Sequence, residues 1–237
     1  MIHQHSHRRG GRWRQEVFFR IRLGHSRGNE KTKIDETARR QTNITVLKNQ
    51  RDKMPPAPEE VILVNAQNCA KGRGEKQAVH VNGQLHRAFS IFLVDARGQL
   101  LLQRRSLAKY HSGGLWANAC CGHPRPGEFT LAAAHRRLHE ELGATATLTC
   151  GFHTRYRTQL PDGLVENEFV YVYFGPTPAT FTPNPAEVSE VTSMTLADLR
   201  ADLRHQPQRY AYWLRHYLKN HAADVKEIVA SLVRSGR

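Results

Sequence analysis

The sequence predicts an α/β (α+β) domain, a mixed β-sheet with helices packed on its faces. Three observations carry that expectation. Short β-type apolar runs are spread from Val61 to Phe174, a helical period interrupts them between Phe129 and Leu142, and neither an internal repeat nor a regular strand-helix-strand alternation is visible.

Taken in order, Val61 to Val64 is a short apolar run suited to a strand, followed by an Asn/Gln/Gly-rich turn region through Gly74. Ala88 to Val94 and Leu100 to Arg104 read as two strands joined by Asp95-Ala96-Arg97-Gly98, a hairpin signal. Leu115 to Cys121 reads as another short strand, entered from Gly113-Gly114. From Phe129 to Leu142 the apolar residues Leu131, Ala134, Leu138 and Leu142 fall three or four apart, and Gly143 supplies a C-terminal stop. Two β-rich stretches, Thr145 to Thr158 and Leu164 to Phe174, flank the Pro161-Asp162-Gly163 turn, and helices are expected over 196–203, 210–220 and 222–233.

Composition bounds the function. The chain has 237 residues, 39% of them hydrophobic and 24% charged, with a mean hydropathy of −0.59, which excludes a membrane-embedded or low-complexity protein. Thirty-five Lys and Arg against 21 Asp and Glu give +14 and a pI near 10.1, which taken alone would suggest nucleic acid. That charge is uneven: residues 1–53 hold 14 basic and 5 acidic residues, a net +9, and the rest of the chain carries the remaining +5. The first 53 residues are therefore read as a basic, unstructured leader or an extension from an upstream start, with Met54 as the natural one, and 54–237 as one domain. The leader has no secretory apolar region, and the interleaving of aromatics with cations expected of a nucleic-acid binder is sparse there. Cys69, Cys120, Cys121 and Cys150 form no CxxC pair, so reduced thiols and a cytoplasmic location are expected.

The chemistry concentrates between Gly122 and Ala144. Gly122, five residues, Glu128, seven residues, Arg136, one variable position, Leu138, one residue, Glu140-Glu141, one residue, Gly143 and Ala144 resembles the Nudix box. The resemblance implies a Nudix-type α/β/α sandwich with added N- and C-terminal elements. Arg137 and Glu141, four apart, share one helical face, and carboxylates facing a cleft can hold Mg²⁺ against a diphosphate. One position departs from the hydrolases of this family, which carry Glu directly after the box Arg: here it is Arg137, suited to phosphate oxygens and not to a second cation.

Three further elements narrow the resemblance: Asn118-Ala119-Cys120-Cys121-Gly122-His123-Pro124 before the box, Val165-Glu166-Asn167-Glu168 with two carboxylates on one strand face, and His80 followed six residues later by His86. Together they resemble the type I isopentenyl-diphosphate isomerases, Nudix relatives that interconvert isopentenyl and dimethylallyl diphosphate, over 58 to about 218. The resemblance implies one Zn²⁺, Mn²⁺ or Mg²⁺ held by His80, His86, His123, Glu166 and Glu168, with Mg²⁺ accompanying the diphosphate at Glu141. It places Lys76, Arg105, Lys109 and Arg137 on the diphosphate and Trp213 beside the developing cation.

Double-bond migration needs a proton added at the terminal methylene and one removed from C2. The resemblance assigns Cys121 to one side and Glu168 with Tyr156 to the other. Adjacent thiols in an extended segment point to opposite faces, so only one of Cys120 and Cys121 can meet substrate. The expected partner is a small molecule, isopentenyl diphosphate, with no nucleic acid and no membrane insertion, and a monomer is favoured. The competing reading, a Nudix hydrolase of a nucleoside diphosphate derivative, leaves Cys121, Glu166, Glu168 and Arg137 unexplained.

Overall fold

A computed structural model describes residues 58–235; the basic leader assigned to 1–53 lies outside them. Strands β1 (Glu60–Val64) and β2 (Ala70–Glu75) pair antiparallel, so the segment expected as a turn region through Gly74 is in part a strand. The β2 sequence, AKGRGE, lacks apolar alternation and hid it. Gly74 is required there, because a Cβ would lie 2.6 Å from Val79 of the next element.

That element, helix α1 (Lys76–Asn82), was not legible in the sequence. Two turns containing β-branched Val79 and Val81 have little helical propensity. The Glu75 carboxylate holds them by accepting from the Gln77 and Ala78 amides at 2.8 and 2.7 Å, and Gly83 closes the helix at φ 62°.

Strand β3 (His86–Val94) is the centre of the sheet. It joins β4 (Leu100–Arg105) through the expected hairpin, in which Asp95 Oδ1 accepts from the Arg97 and Gln99 amides. The run expected as one strand from Leu115 to Cys121 breaks at Ala119 into β5 (Trp116–Asn118), which pairs with β4, and β6 (Cys120–Gly122), which pairs with β3. The segment changes partner, which no periodicity signals.

Helix α2 (Thr130–Leu142) carries the box and ends at Gly143, φ 59°. β7 (Thr149–Gln159) and β8 (Val165–Pro176) form the expected hairpin, although β7 starts four residues later than anticipated. β9 (Val188–Met194), unanticipated because it is mostly polar, pairs with β4. Helices α3 (Leu196–His205), α4 (Tyr212–Asn220) and α5 (Ala222–Ser235) follow. Among the described residues, no helix is long and apolar enough to cross a membrane.

The sheet is mixed: β3 pairs parallel with β8 and antiparallel with β6. Its two faces bury separate cores. Phe89, Ile91 and Leu93 pack with Ala134, Leu138 and Leu142 of α2, whereas Ala88, Phe92 and Val94 pack with Leu199, Leu214, Tyr217 and Val225 of the C-terminal helices. This is a helix-sheet-helix sandwich, built by the two-residue period of one strand buried on both faces.

Candidate active site

Strand register assembles the site. His86 lies opposite Glu168 in the β3–β8 ladder, and Glu168 lies opposite Tyr156 in the β8–β7 ladder, so the three stand abreast on adjacent strands. Ser90, four residues beyond His86 and therefore on the same face, lies opposite Cys121. Cys121, His123, Glu166, Glu168, Tyr156, Lys76, Arg105, Lys109, Arg137, Glu141 and Trp213 line one cleft. His80 and His86 sit fully buried behind it.

The adjacent thiols separate as alternation requires. Cys120 is buried in the core beneath α2, while Cys121 reaches the cleft, its sulfur 3.3 Å from both Ser90 Oγ and Asn118 Oδ1. Burial pushes the Cys121 thiol up to about 12, so it is protonated at neutral pH. Tyr156 donates to Glu168 Oε2 at 2.6 Å, and burial together with the Glu168 charge keeps the phenol protonated. Burial opposes ionisation of Glu168, but contacts with His123 and His86 outweigh it and hold this carboxyl well below its usual value.

Four buried donors converge. Ligand atoms of His80, His86, His123 and Glu168 all lie within 4.8 Å of one another. His80 and His86 turn Nδ1 to the carbonyls of Lys76 (2.7 Å) and Gln84 (2.8 Å), so Nδ1 donates there and Nε2 is the nitrogen turned toward the cluster. His86 Nε2 then faces His123 Nε2 at 3.2 Å, with Glu168 Oε1 at 2.9 Å from the latter. Imidazole nitrogens gathered around a buried carboxylate fit a divalent cation. Glu166, expected in the same set, falls instead in a second group with His80 and His111.

At the other end of the cleft Glu141 is fully buried, accepting from Gln103 Nε2 at 2.9 Å and paired with Lys109 and Arg137. Burial raises its pKa, but those two cations overcome the effect and the net shift is downward. Arg137 also reaches Glu140 (2.7 Å) and Glu187 (3.2 Å), and Lys76 pairs with Glu59 at 2.9 Å. Arg105 lies over the Trp213 ring, 5.2 Å from its centroid. Lys76, Lys109 and Arg137 are thus countered by carboxylates, whereas Arg105 makes no ion pair among the described residues.

Sequence reasoning missed Glu59, Ser90, Tyr110, His111 and Glu187. Tyr110 and His111 follow Lys109 directly, yet no spacing marks them; only the loop's return brings Tyr110 OH to 3.3 Å from His80 Nε2. Glu187 stands alone in a Pro-rich segment, and its pairing with Lys109 and Arg137 is purely tertiary.

The sequence matches the NUDIX domain over residues 84–217. It is 46% identical over 156 residues to the isopentenyl-diphosphate Delta-isomerase of Pectobacterium atrosepticum, covering 66% of this chain and 87% of that one. With the protein of the same name from Serratia proteamaculans it shares 42% over 177 residues, 75% of this chain and 99% of that one. A solved Deinococcus radiodurans protein, 24% identical, superposes with a TM-score of 0.50 over 65% of this chain and 100% of that one, a likeness of fold. The box, the fold and relatives matched over nearly their full length agree: the chain belongs to the Nudix family, among the isopentenyl-diphosphate Delta-isomerases.

Proposed function

We propose that this chain interconverts isopentenyl and dimethylallyl diphosphate by proton addition and removal on opposite sides of a bound allylic unit. The observation that carries this is the register: the Cys121 thiol and the Glu168 carboxyl stand on the two strands that flank β3 and face one cleft that four cations also line.

Lys76, Arg105, Lys109 and Arg137 take the diphosphate, releasing Glu59, Glu141 and Glu187 from their present ion pairs. The hydrocarbon end then lies toward Cys121, Glu168 and Trp213, whose indole face favours a tertiary cation. One proton joins the terminal methylene carbon and one leaves C2. The total number of protons on the protein is unchanged, while Cys121 and the Tyr156–Glu168 pair exchange donor and acceptor roles. Tyr156, held on Glu168 by a short hydrogen bond, keeps the carboxylate oriented and can relay its proton.

His80, His86, His123 and Glu168, joined by Glu166, are the residues that would hold Zn²⁺, Mn²⁺ or Mg²⁺, and Glu141 would hold Mg²⁺ with the diphosphate. A cation bound to the first set supplies positive charge that makes protons near Glu168 more acidic. Hydrolysis by the usual Nudix route is disfavoured because Arg137 stands where a carboxylate is needed. Incubating the chain with isopentenyl diphosphate, Mg²⁺ and Mn²⁺ should yield dimethylallyl diphosphate; phosphate release without isomer, or no product, would overturn the reading.

A further inference from the structure

Glu166 shares His80 with the four-donor set but groups with His111. It is buried, and its two oxygens have different surroundings. Oε1 lies 3.4 Å from His111 Nε2, while Oε2 has no hydrogen-bond partner and stands 3.8 Å from His80 Nε2, a nitrogen of the four-donor set. A second ion between His80, His111 and Glu166 would compete for that same His80 nitrogen, because His80 Nδ1 is committed to the Lys76 carbonyl. The two groups therefore describe one centre with an outer member.

We propose that His111 is a positioning residue of the metal centre: it holds Glu166 Oε1 so that Oε2 is presented to the ion. The proposal rests on the metal-site reading above. His111 is itself fixed. Its ring stands edge-on to Tyr110 and Trp213, Arg105 donates to its carbonyl at 3.2 Å, and Nδ1 faces Ser112 Oγ at 3.2 Å. A hydroxyl donated to Nδ1 leaves the proton on Nε2, directed at Glu166. Ser112 sits at φ 51°, a conformation that L residues seldom adopt and that is tolerated where surrounding structure demands it. The 3.4 Å between His111 Nε2 and Glu166 Oε1 is an ion-pair distance. Outer partners of this kind set the orientation and basicity of metal ligands.

The test uses the full chain, stripped of metal by chelation, and titrates Mn²⁺ alone, without substrate, against a competing fluorescent chelator. His111→Leu and His111→Gln have similar bulk, but only glutamine restores an N–H near Nε2. His111→Leu should bind Mn²⁺ about 10- to 100-fold more weakly, His111→Gln should recover most of that loss, and the unchanged chain should bind one ion at the histidine centre. Equal affinity for all three proteins would overturn the role of His111. Two ions at this centre in the unchanged chain, one of them lost in His111→Leu, would make His111 a ligand and also overturn it. Absence of Mn²⁺ binding that depends on His123 in the unchanged chain would instead sink the metal-site reading, and the positioning role with it. Circular dichroism of the metal-free variants separates misfolding from weak binding.

Discussion

The two adjacent thiols should respond to alanine in opposite ways. Cys120 is wholly buried among Phe89, Ile91, Ala134 and Leu138, and Cys120→Ala removes one heavy atom from a close-packed core. By analogy with other one-atom core deletions the cost is about 0.5–1.5 kcal/mol. In a domain of this size each kcal/mol corresponds to roughly 2–4 °C of Tm, so Tm should fall by about 1–6 °C while kcat stays within about twofold. Cys121 is only partly buried, its sulfur held by weak contacts to Ser90 and Asn118. Ser90 keeps its 2.8 Å bond to Tyr217 when the thiol is removed. Cys121→Ala should therefore leave Tm nearly unchanged and lower kcat by roughly a hundred- to ten-thousand-fold, the worth of one acid-base group. Differential scanning fluorimetry and conversion of labelled isopentenyl diphosphate measure both quantities. Loss of activity in Cys120→Ala with retention in Cys121→Ala would refute the assignment of faces from which the mechanism starts.

Other consequences follow from the same geometry. Exposed Cys69 and Cys150 should be alkylated by iodoacetamide at mildly alkaline pH well before Cys120 or Cys121, whose burial raises both thiols; peptide mapping that finds Cys121 labelled first would contradict its protonated state. Arg137→Glu would place a fourth carboxylate against Glu140, Glu141 and Glu187 in place of their shared cation. It should raise KM for the diphosphate and destabilise the fold by about 3 kcal/mol, measured by urea unfolding, with Mg²⁺ partly restoring it. Because the Glu141 pKa is lowered on folding, its ion pairs stabilise the protein above the unfolded carboxyl pKa of about 4.3 and the contribution is lost as pH falls through the lower, folded value. Acid unfolding of Glu141→Gln should thus be less steep in that window, and identical profiles would argue against the pairing. Activity of a 54–237 fragment equal to that of the full chain would place the chemistry in that part, as the charge partition suggests.

The box was legible because its residues lie within one helix and the turn before it. A helix fixes the directions of neighbouring side chains, so Arg137 and Glu141 could be placed on one face from spacing alone. Alternation in an extended segment did the same for Cys120 against Cys121 and for Glu166 with Glu168. Recognition of the isomerase pattern extended this to histidines more than 35 residues apart. Weak local signals failed: α1 depends on a Glu75 cap that overrides poor propensity, β9 is mostly polar, and β5 and β6 are one run divided between two partners.

By itself, then, the sequence determined which residue types this protein gathers, the face each presents within its own element, and the excess of positive charge in its first 53 residues. Tertiary structure decided the rest. Register between β3, β8 and β7 set His86, Glu168 and Tyr156 abreast, and the return of the loop after β4 brought His111 to Glu166. Folding also gave Lys76, Lys109 and Arg137 their resting partners, Glu59, Glu141 and Glu187. The physical reason is that dihedral preference and side-chain period act over a few residues, whereas strand pairing and ion pairing join segments whose separation along the chain carries no signal of their approach.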